Sequence, residues 1–242
     1  TQWFEHLTAA GALSSIDVAF ARCVASLTAR EVPQPDLDNE PLLLLGAAVA
    51  SRSVRQGHVC APLGDVVAAP PVSEEGVAID GFEWPPLDVW LEALAHSPAV
   101  CVPPADQSNR PLVLSGGRLY MQRYYRYERG LALQLARRAE SVEHVDEALL
   151  DDDIACLFPR ADSVEAQQAE AARNAARRRL SVVSGGPGTG KTRTVARILA
   201  ILAHQALASG RPAPRVELLA PTGKAAQRLG EAFVANLDAG MD

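Results

Sequence analysis

A glycine-rich segment that ends in a lysine and a threonine carries the clearest chemical signal of the sequence. Gly185-Gly-Pro-Gly-Thr-Gly-Lys-Thr192 follows the spacing G-x-x-x-x-G-K-[ST]. Glycines allow backbone turns and close approaches that a Cβ would block, so that successive N–H groups can face an anion. The Lys191 ammonium suits the β and γ phosphates, and the Thr192 hydroxyl is the expected Mg²⁺ ligand. The segment predicts a nucleotide-binding loop.

A second loop of similar character follows further along the chain, at Pro221-Thr-Gly-Lys224. Thr222 is predicted to cap a helix, and Lys224 falls in its first turn. A lysine at a helix N-terminus is unfavourable by a few tenths of a kcal/mol unless an anion is bound there. The pattern favours an anion contact, although a simple helix cap would look the same.

Alternating strands and helices are predicted around both loops. Leu180–Ser184 and Arg215–Ala220 are short apolar runs with strand character, and a helical pattern follows the first loop from Val195 to Leu202. Asp162 and Glu165 predict the start of another helix, whose last turn would hold Arg177-Arg-Arg179 against the negative end of the helix dipole. In a doubly wound α/β sheet both loops would lie at the carboxyl ends of the strands, where ligands bind.

The N-terminal part is predicted to be mostly helical. Its predicted helices are residues 1–30, 42–50 and 87–95, with a break at Pro33-Gln-Pro35 and a short strand at 58–62. The proline-rich stretch from Pro98 to Pro111 is the predicted domain boundary. A β-hairpin is predicted at 112–121, turning at Gly116-Gly117.

Charge supports a division of the 242-residue chain. Residues 1–110 hold 5 arginines and 14 acidic residues, a net charge of −9, whereas residues 111–242 carry a net charge of +3. The second part is therefore the better candidate for anionic ligands. No apolar run has the length of a membrane span, and the dispersed cysteines and histidines indicate neither a zinc site nor a redox motif.

The four tyrosines lie among arginines at residues 118–129. Aromatic rings and guanidinium groups mixed in this way could form a strip that stacks bases and contacts phosphates. The favoured alternative is a strand leading into a helix, with half-buried tyrosines and arginines that extend to solvent.

These motifs together resemble a superfamily 1 helicase motor. Gly185–Thr192 resembles motif I, 220–226 resembles motif Ia, and Gln168, which lies 17 residues before Gly185, resembles the Q-motif glutamine that reads adenine. Gln167 is a less favoured candidate, because Gln168 has the better distance and is followed by Ala171. Longer segments are similar to the RecD family, the α chain of exodeoxyribonuclease V: 57–60, 117–120, 145–150, 157–159, 181–192 and 219–229.

The resemblance implies a fold, a site and partners. The fold is an α/β RecA-like motor domain with a parallel sheet, in residues 111–242, after a mainly helical docking domain in residues 1–110. The implied activity is ATP-driven 5′→3′ movement on single-stranded DNA, with Mg²⁺, in a cytoplasmic complex with RecB- and RecC-type subunits that repairs double-strand breaks.

The implied DNA contacts are Pro221, Thr222, Gly223 and Lys224. The implied nucleotide site comprises Gln168, Gly185, Gly186, Pro187, Gly188, Thr189, Gly190, Lys191, Thr192 and Arg193, with Lys191 and Thr192 acting on the phosphates and Mg²⁺.

The resemblance is incomplete in one respect. A motor needs an acidic Walker B motif and arginine fingers from a second RecA-like domain, and neither follows before Asp242. We expect the sequence to be part of a longer protein, and this part alone to bind nucleotide without hydrolysing ATP or translocating.

Other functions fit parts of the pattern. A stand-alone RecD2-type helicase would carry helix-hairpin-helix repeats ahead of the motor, and a conjugative relaxase an N-terminal histidine cluster; neither is visible. An assembly module with a purely structural nucleotide site remains open. A small-molecule kinase is disfavoured, because its function would not explain the second loop at Pro221-Thr-Gly-Lys224.

Overall fold

The computed structural model describes residues 2–31, 39–104, 110–141, 143–160, 162–186 and 188–238. The described chain divides into two compact units, Thr1–Leu131 and Ala132–Asp242. Pro33-Gln-Pro35 and Pro187 lie outside the described residues. Within these ranges, no helix combines the length and the apolar character needed to cross a membrane.

The first unit is built around one buried helix. Its helices are α1 (Gln2–Ala9), α2 (Ser15–Glu31), α3 (Glu40–Arg55), α4 (Leu63–Ala68) and α5 (Leu87–His96). Every residue of α3 from Leu42 to Ala50 is buried, as the continuous apolar run predicts, and α3 contacts α1, α2 and α5. Trp90 of α5 is fully buried, and its indole N–H donates to the Leu42 carbonyl at 3.0 Å.

A four-stranded mixed sheet completes this unit. The strands β1 (Ala61–Pro62), β2 (Val100–Cys101), β3 (Leu112–Ser115) and β4 (Arg118–Met121) lie in the order β1-β4-β3-β2. β3 and β4 form the predicted antiparallel hairpin, and β2 pairs with β3 in parallel. Gly116 and Gly117 have φ of +57° and +72°, left-handed values that explain the two glycines at this turn.

The domain boundary lies later than the sequence predicts. Because β2, at the start of the proline-rich stretch, pairs with β3 on its far side, the predicted boundary at Pro98–Pro111 runs through a sheet. The structure divides instead between Leu131 and Ala132, within α6 (Gln122–Glu140). The first 21 residues of the predicted second domain, 111–131, therefore belong to the first unit.

The tyrosine- and arginine-rich segment is a strand followed by a helix. Tyr120 of β4 and Tyr125 of α6 are buried with their rings edge to face, 5.2 Å between centroids. Burial and a hydrogen bond with the Cys60 thiol raise the pKa of Tyr120 to about 12. These two rings are packed against each other and are not available for base stacking, so the favoured interpretation of a strand leading into a helix is confirmed. The arginines of the segment are exposed.

The second unit contains α7 (Glu147–Leu157), α8 (Ser163–Arg177), α9 (Lys191–Ala208) and α10 (Gly223–Asp238). Asp162 caps α8 as predicted, accepting hydrogen bonds from the backbone N–H groups of Val164 and Glu165. The apolar core lies among α7, α8 and α9, with members Leu150, Ile154, Phe158, Ala172, Ala176, Ile198 and Ile201.

The three arginines at the end of α8 differ from the prediction. The helix ends at Arg177, so Arg178 and Arg179 lie beyond its last turn. Arg177 forms a two-point ion pair with Glu147 of α7, Arg178 donates to the Ala139 carbonyl at 2.9 Å, and Arg179 pairs with Glu143. Side-chain contacts with the preceding segment, more than the helix dipole, occupy these cations.

The fold is α/β, but the paired strands belong to the first unit. Residues 180–184 and 215–220, predicted as strands, have no strand partner within the described ranges. Val182 and Leu219 are 86% and 85% exposed. Sequence can predict an extended apolar segment, whereas a strand also requires a neighbour to share its hydrogen bonds.

Candidate nucleotide-binding site

The glycine-rich segment forms a tight loop at the N-terminus of α9. Gly188 and Gly190 have φ of +75° and +79°, which other L-residues rarely adopt. Gly190 is the residue that precedes the first helical residue, Lys191. The local sequence therefore sets both the turn and the start of the helix, and it places the positive end of the helix dipole at the loop.

The loop is closed by a contact that leaves little room for a side chain at Gly185. The Thr189 hydroxyl donates to the Gly186 carbonyl at 2.9 Å. A Cβ added to Gly185 would lie 2.7 Å from that hydroxyl oxygen. A side chain at Gly185 would displace the Thr189 hydroxyl, and Gly188 and Gly190 are favoured by their left-handed backbone conformation.

Lys191 folds back over this loop. Its Nζ donates to the carbonyl oxygens of Gly185 and Gly186, both at 2.6 Å. The ammonium is partly satisfied by these neutral acceptors, and its flexible stem lets it move to a stronger anionic partner. Thr192 follows in the first turn of α9 and is half-buried, while Arg193 is exposed.

The structure brings Gln168 to the loop. Its side-chain amide N–H donates to the Thr189 carbonyl at 3.0 Å, although the two residues are 21 positions apart. Gln167 is exposed on the same helix. Of the two glutamines weighed from the sequence, Gln168 is the one in contact with the loop.

The residues of the loop fit the phosphates of a nucleotide. A Cβ at Gly185 would collide with the loop, and left-handed glycines turn the backbone at its tip. The helix N-terminus and one mobile cation converge on the same place. This donor set suits a polyphosphate, with the Thr192 hydroxyl as the candidate Mg²⁺ ligand.

The second predicted loop has the expected local structure. The Thr222 hydroxyl accepts from the Ala225 N–H at 3.3 Å, which caps α10 as predicted. Pro221, Thr222, Gly223 and Lys224 are all exposed. The helices that follow the two loops, α9 and α10, pack against each other. Exposure and a capped helix start are compatible with an anion contact here.

Sequence reasoning missed the ion pair between Glu165 of α8 and Arg197 of α9, which lie 3.2 Å apart and are 8% and 13% exposed. The sequence pattern predicts Glu165 only as part of a helix start. The helical spacing of Glu165 and Gln168 places them on one face of α8, but no local pattern points to Arg197, 32 positions away, as the partner of Glu165.

Comparison with known proteins finds a match for each of two parts of the chain. Residues 9–120 match the family model for the N-terminal domain of the RecBCD enzyme subunit RecD, and residues 168–240 match a model for an AAA domain. The chain is 41% identical over 210 residues to the RecBCD enzyme subunit RecD of Mycolicibacterium smegmatis, covering 85% of this chain and 33% of that protein.

Two further relatives extend the comparison. The RecBCD enzyme subunit RecD of Mycobacterium tuberculosis H37Rv is 37% identical over 95% of this chain and 36% of its own length. The ATP-dependent RecD2 DNA helicase of Deinococcus radiodurans is 36% identical over 48% of this chain and 15% of its own length. The chain spans about a third of the length of the RecD relatives that it matches.

Proposed function

Because the chain belongs to the RecD family, we propose that it supplies the ATP-binding loop and one single-stranded DNA contact of an ATP-dependent 5′→3′ DNA helicase subunit. The observation that carries this proposal is the loop at residues 185–192, closed on Lys191 and touched by Gln168. The resemblance of Gln168 to the Q-motif glutamine is what favours an adenine nucleotide at this loop.

Each residue has a proposed task at this site. Backbone N–H groups of the loop and the first turn of α9 bind the phosphates. Lys191 exchanges its two carbonyl acceptors for phosphate oxygens, Thr192 binds Mg²⁺, and Gln168 reads the adenine. Bound ATP supplies the free energy of phosphoryl transfer that drives the motor.

The first unit has a different proposed role. Residues 9–120 match the RecD N-terminal domain, and residues 1–110 carry a net charge of −9. We assign this unit to docking on a RecC-type subunit, within a cytoplasmic RecB- and RecC-containing complex that acts in double-strand break repair. The match to a RecD N-terminal domain favours a subunit over a stand-alone RecD2-type helicase.

Nucleotide binding is tested by titrating the chain with a fluorescent ATP analogue and Mg²⁺. We expect saturable binding that Lys191→Ala weakens by about tenfold or more, because a charge-assisted contact to phosphate is lost. Arg211→Ala, an exposed cation in the same unit, is the matched control and should bind as the unchanged chain does. Equal binding by the Lys191 variant would refute the assignment of the loop.

Turnover is tested separately. We propose that this chain binds ATP, and that hydrolysis requires the acidic motif and arginine fingers that the family supplies elsewhere. Steady-state phosphate release from the 242-residue chain should stay at the level of a blank, with or without single-stranded DNA. DNA-stimulated release that Lys191→Ala abolishes would overturn this part.

The DNA contact is tested by crosslinking the full-length subunit to single-stranded DNA. Lys224→Ala should reduce the yield and flatten its dependence on salt, since each phosphate contact adds to that dependence. Arg22→Ala, an exposed arginine of the first unit, should leave both unchanged. An unchanged yield for Lys224→Ala would favour the assembly-module alternative for this loop.

A further inference from the structure

The contact between Gln168 and the nucleotide loop depends on where α8 sits against α9. The Gln168 amide nitrogen lies 3.0 Å from the Thr189 carbonyl oxygen, and a Cβ at Gly190 would lie only 3.2 Å from the same nitrogen. Clearance on this side is therefore small. A shift of α8 by one ångström would break the hydrogen bond or press the side chain into the loop.

A largely buried ion pair joins the two helices one turn away. Glu165 precedes Gln168 by three positions on α8, so the two side chains share a face. The Glu165 carboxylate accepts from the Arg197 guanidinium at 3.2 Å, and Arg197 belongs to the helix that starts at Lys191. Among the ion pairs of the described residues, this is the one in which both side chains are largely buried.

Both members of the pair have further partners. The second carboxylate oxygen of Glu165 accepts from the backbone N–H of Arg160, in the segment that leads into α8. The Arg197 guanidinium lies 4.7 Å from the centre of the Phe158 ring. The pair is therefore satisfied on each side, which fixes its geometry more tightly than a single contact would.

The apolar contacts between α8 and α9 are made on the α8 side by small side chains. The core residues of α8, Ala172 and Ala176, lie in its second half and are small. Alanine side chains present a shallow surface, which fixes the position of a helix along its neighbour less firmly than large interlocking side chains do. At the N-terminal half, where Gln168 lies, the Glu165–Arg197 pair adds a specific polar contact between the two helices to the apolar packing of Ala169.

We propose that the Glu165–Arg197 ion pair positions Gln168 against the nucleotide loop and thereby sets the preference of the site for adenine nucleotides. This rests on the proposed function, since it assumes that the loop binds a nucleotide and that Gln168 reads its base. Glu165 and Arg197 act through Gln168 and are positioning residues.

The test compares three ligands with Mg²⁺ present: ATP, GTP and inorganic tripolyphosphate, which shares the phosphates and lacks the base. The variant is the double substitution Glu165→Gln with Arg197→Met, which removes both charges together and so leaves no unpaired buried charge. The matched control is Asp151→Asn with Arg173→Met, which removes the ion pair between α7 and α8, away from the loop. Dissociation constants are measured for the unchanged 242-residue chain and each variant.

We expect the preference for ATP over GTP to fall by about five- to tenfold in the double variant, the worth of one lost hydrogen-bonded contact. Tripolyphosphate affinity should stay unchanged, because the loop itself is intact. Gln168→Ala should reproduce the loss, and combining it with the double variant should add nothing further. The control variant should keep the full preference.

Several outcomes would overturn the inference. An unchanged ATP-to-GTP ratio would do so, as would equal weakening of ATP, GTP and tripolyphosphate, which is the result of a merely structural role. If the chain without substitutions binds ATP and GTP equally well, the inference is refuted as well. If the double variant does not fold, Arg197→Lys, which keeps the charge, decides: a lower ratio with unchanged tripolyphosphate affinity supports the inference, and an unchanged ratio refutes it.

The same titrations separate this inference from the proposed function. If the unchanged chain binds neither ATP nor tripolyphosphate, the loop assignment fails. If it binds ATP selectively, and Lys191→Ala abolishes binding while the double variant keeps the ratio, only the role of the ion pair fails.

Discussion

The two lysines of the chain, Lys191 and Lys224, lie in the first turns of α9 and α10. All other basic residues besides histidine are arginines. A cation at a helix N-terminus opposes the helix dipole by a few tenths of a kcal/mol. Lys191 reduces this conflict through two loop carbonyls, and Lys224 lies exposed. An anionic ligand at each loop would turn an unfavourable placement into a favourable one.

A buried aspartate of the first unit, Asp17, links α2 to α3 through its hydrogen bonds. Asp17 is fully buried and accepts from the Ser14 hydroxyl at 2.8 Å, the Ser51 hydroxyl at 2.7 Å and the Arg55 guanidinium at 3.0 Å. Burial by itself raises the pKa of Asp17, but the hydrogen bonds from Arg55, Ser51 and Ser14 together outweigh it, and the pKa is lowered. The ionised carboxylate therefore stabilises the folded state.

This lowered pKa predicts a dependence of stability on acid. The contribution of Asp17 is fully present above its unfolded pKa of about 3.9 and is lost as the pH falls through the folded value. Asp17→Asn should lower the free energy of unfolding by about 1.5–3 kcal/mol at neutral pH. The difference between the two proteins should shrink below about pH 4. Urea unfolding followed by tryptophan fluorescence measures it, and a constant difference down to about pH 2 would contradict the prediction.

At the scale of elements, α3 is the central helix of the first unit, and its close contacts depend on one glycine. A Cβ at Gly46 would lie 2.9 Å from Leu94 and 3.1 Å from Leu119, both fully buried. Gly46 thus lets α3 approach α5 and β4 closely. Helix propensity disfavours a glycine here, and packing overrides it.

This packing predicts the effect of enlarging Gly46. Gly46→Val should lower the free energy of unfolding by about 1–3 kcal/mol, because Leu94 and Leu119 have little room to move aside. The matched control is Gly130→Val in α6, where no atom lies within 4 Å of the added Cβ. That change should stay within about 0.5 kcal/mol of neutral. Equal effects at both positions in urea unfolding would show that the close approach has no energetic weight.

At the scale of the whole molecule, the two units can be observed separately. All three tryptophans and all four tyrosines lie at or before Tyr127, in the first unit, whereas the glycine-rich loop at residues 185–192 lies in the second. Tryptophan fluorescence therefore reports on the first unit alone. Far-ultraviolet circular dichroism reports on the helices of both.

Nucleotide binding should stabilise one unit selectively. ATP with Mg²⁺ at about a hundred times its dissociation constant should raise the stability of the second unit by about 2.7 kcal/mol. The circular dichroism transition should shift upward in thermal unfolding, while the tryptophan transition stays in place. Lys191→Ala should remove the shift. A tryptophan transition that moves equally with nucleotide would contradict this prediction.

Local patterns were the reliable part of sequence interpretation. The buried helix at 42–50, the hairpin at Gly116-Gly117 and the Asp162 cap are confirmed, because each depends on neighbouring residues and their backbone preferences. The boundary at Pro98–Pro111 is not, because prolines mark irregular backbone and reveal nothing about which strands pair across it. The helix containing Arg177-Arg-Arg179 ends earlier than predicted for a similar reason: the last two arginines bond to a distant segment.

The sequence by itself determined the glycine-rich loop, the presence of a helix after it and the identity of the cation, since these follow from spacing and backbone preference, whereas the start of that helix at Lys191 is seen in the structure. The sequence favoured Gln168 over Gln167 by its distance from the loop, and the tertiary structure shows the contact that Gln168 makes. Gln168 and Gln167 are adjacent and chemically identical, and their difference arises from the face of α8 that packs on α9. The Glu165–Arg197 pair likewise joins residues 32 positions apart. Such contacts depend on how helices pack, which no local pattern encodes.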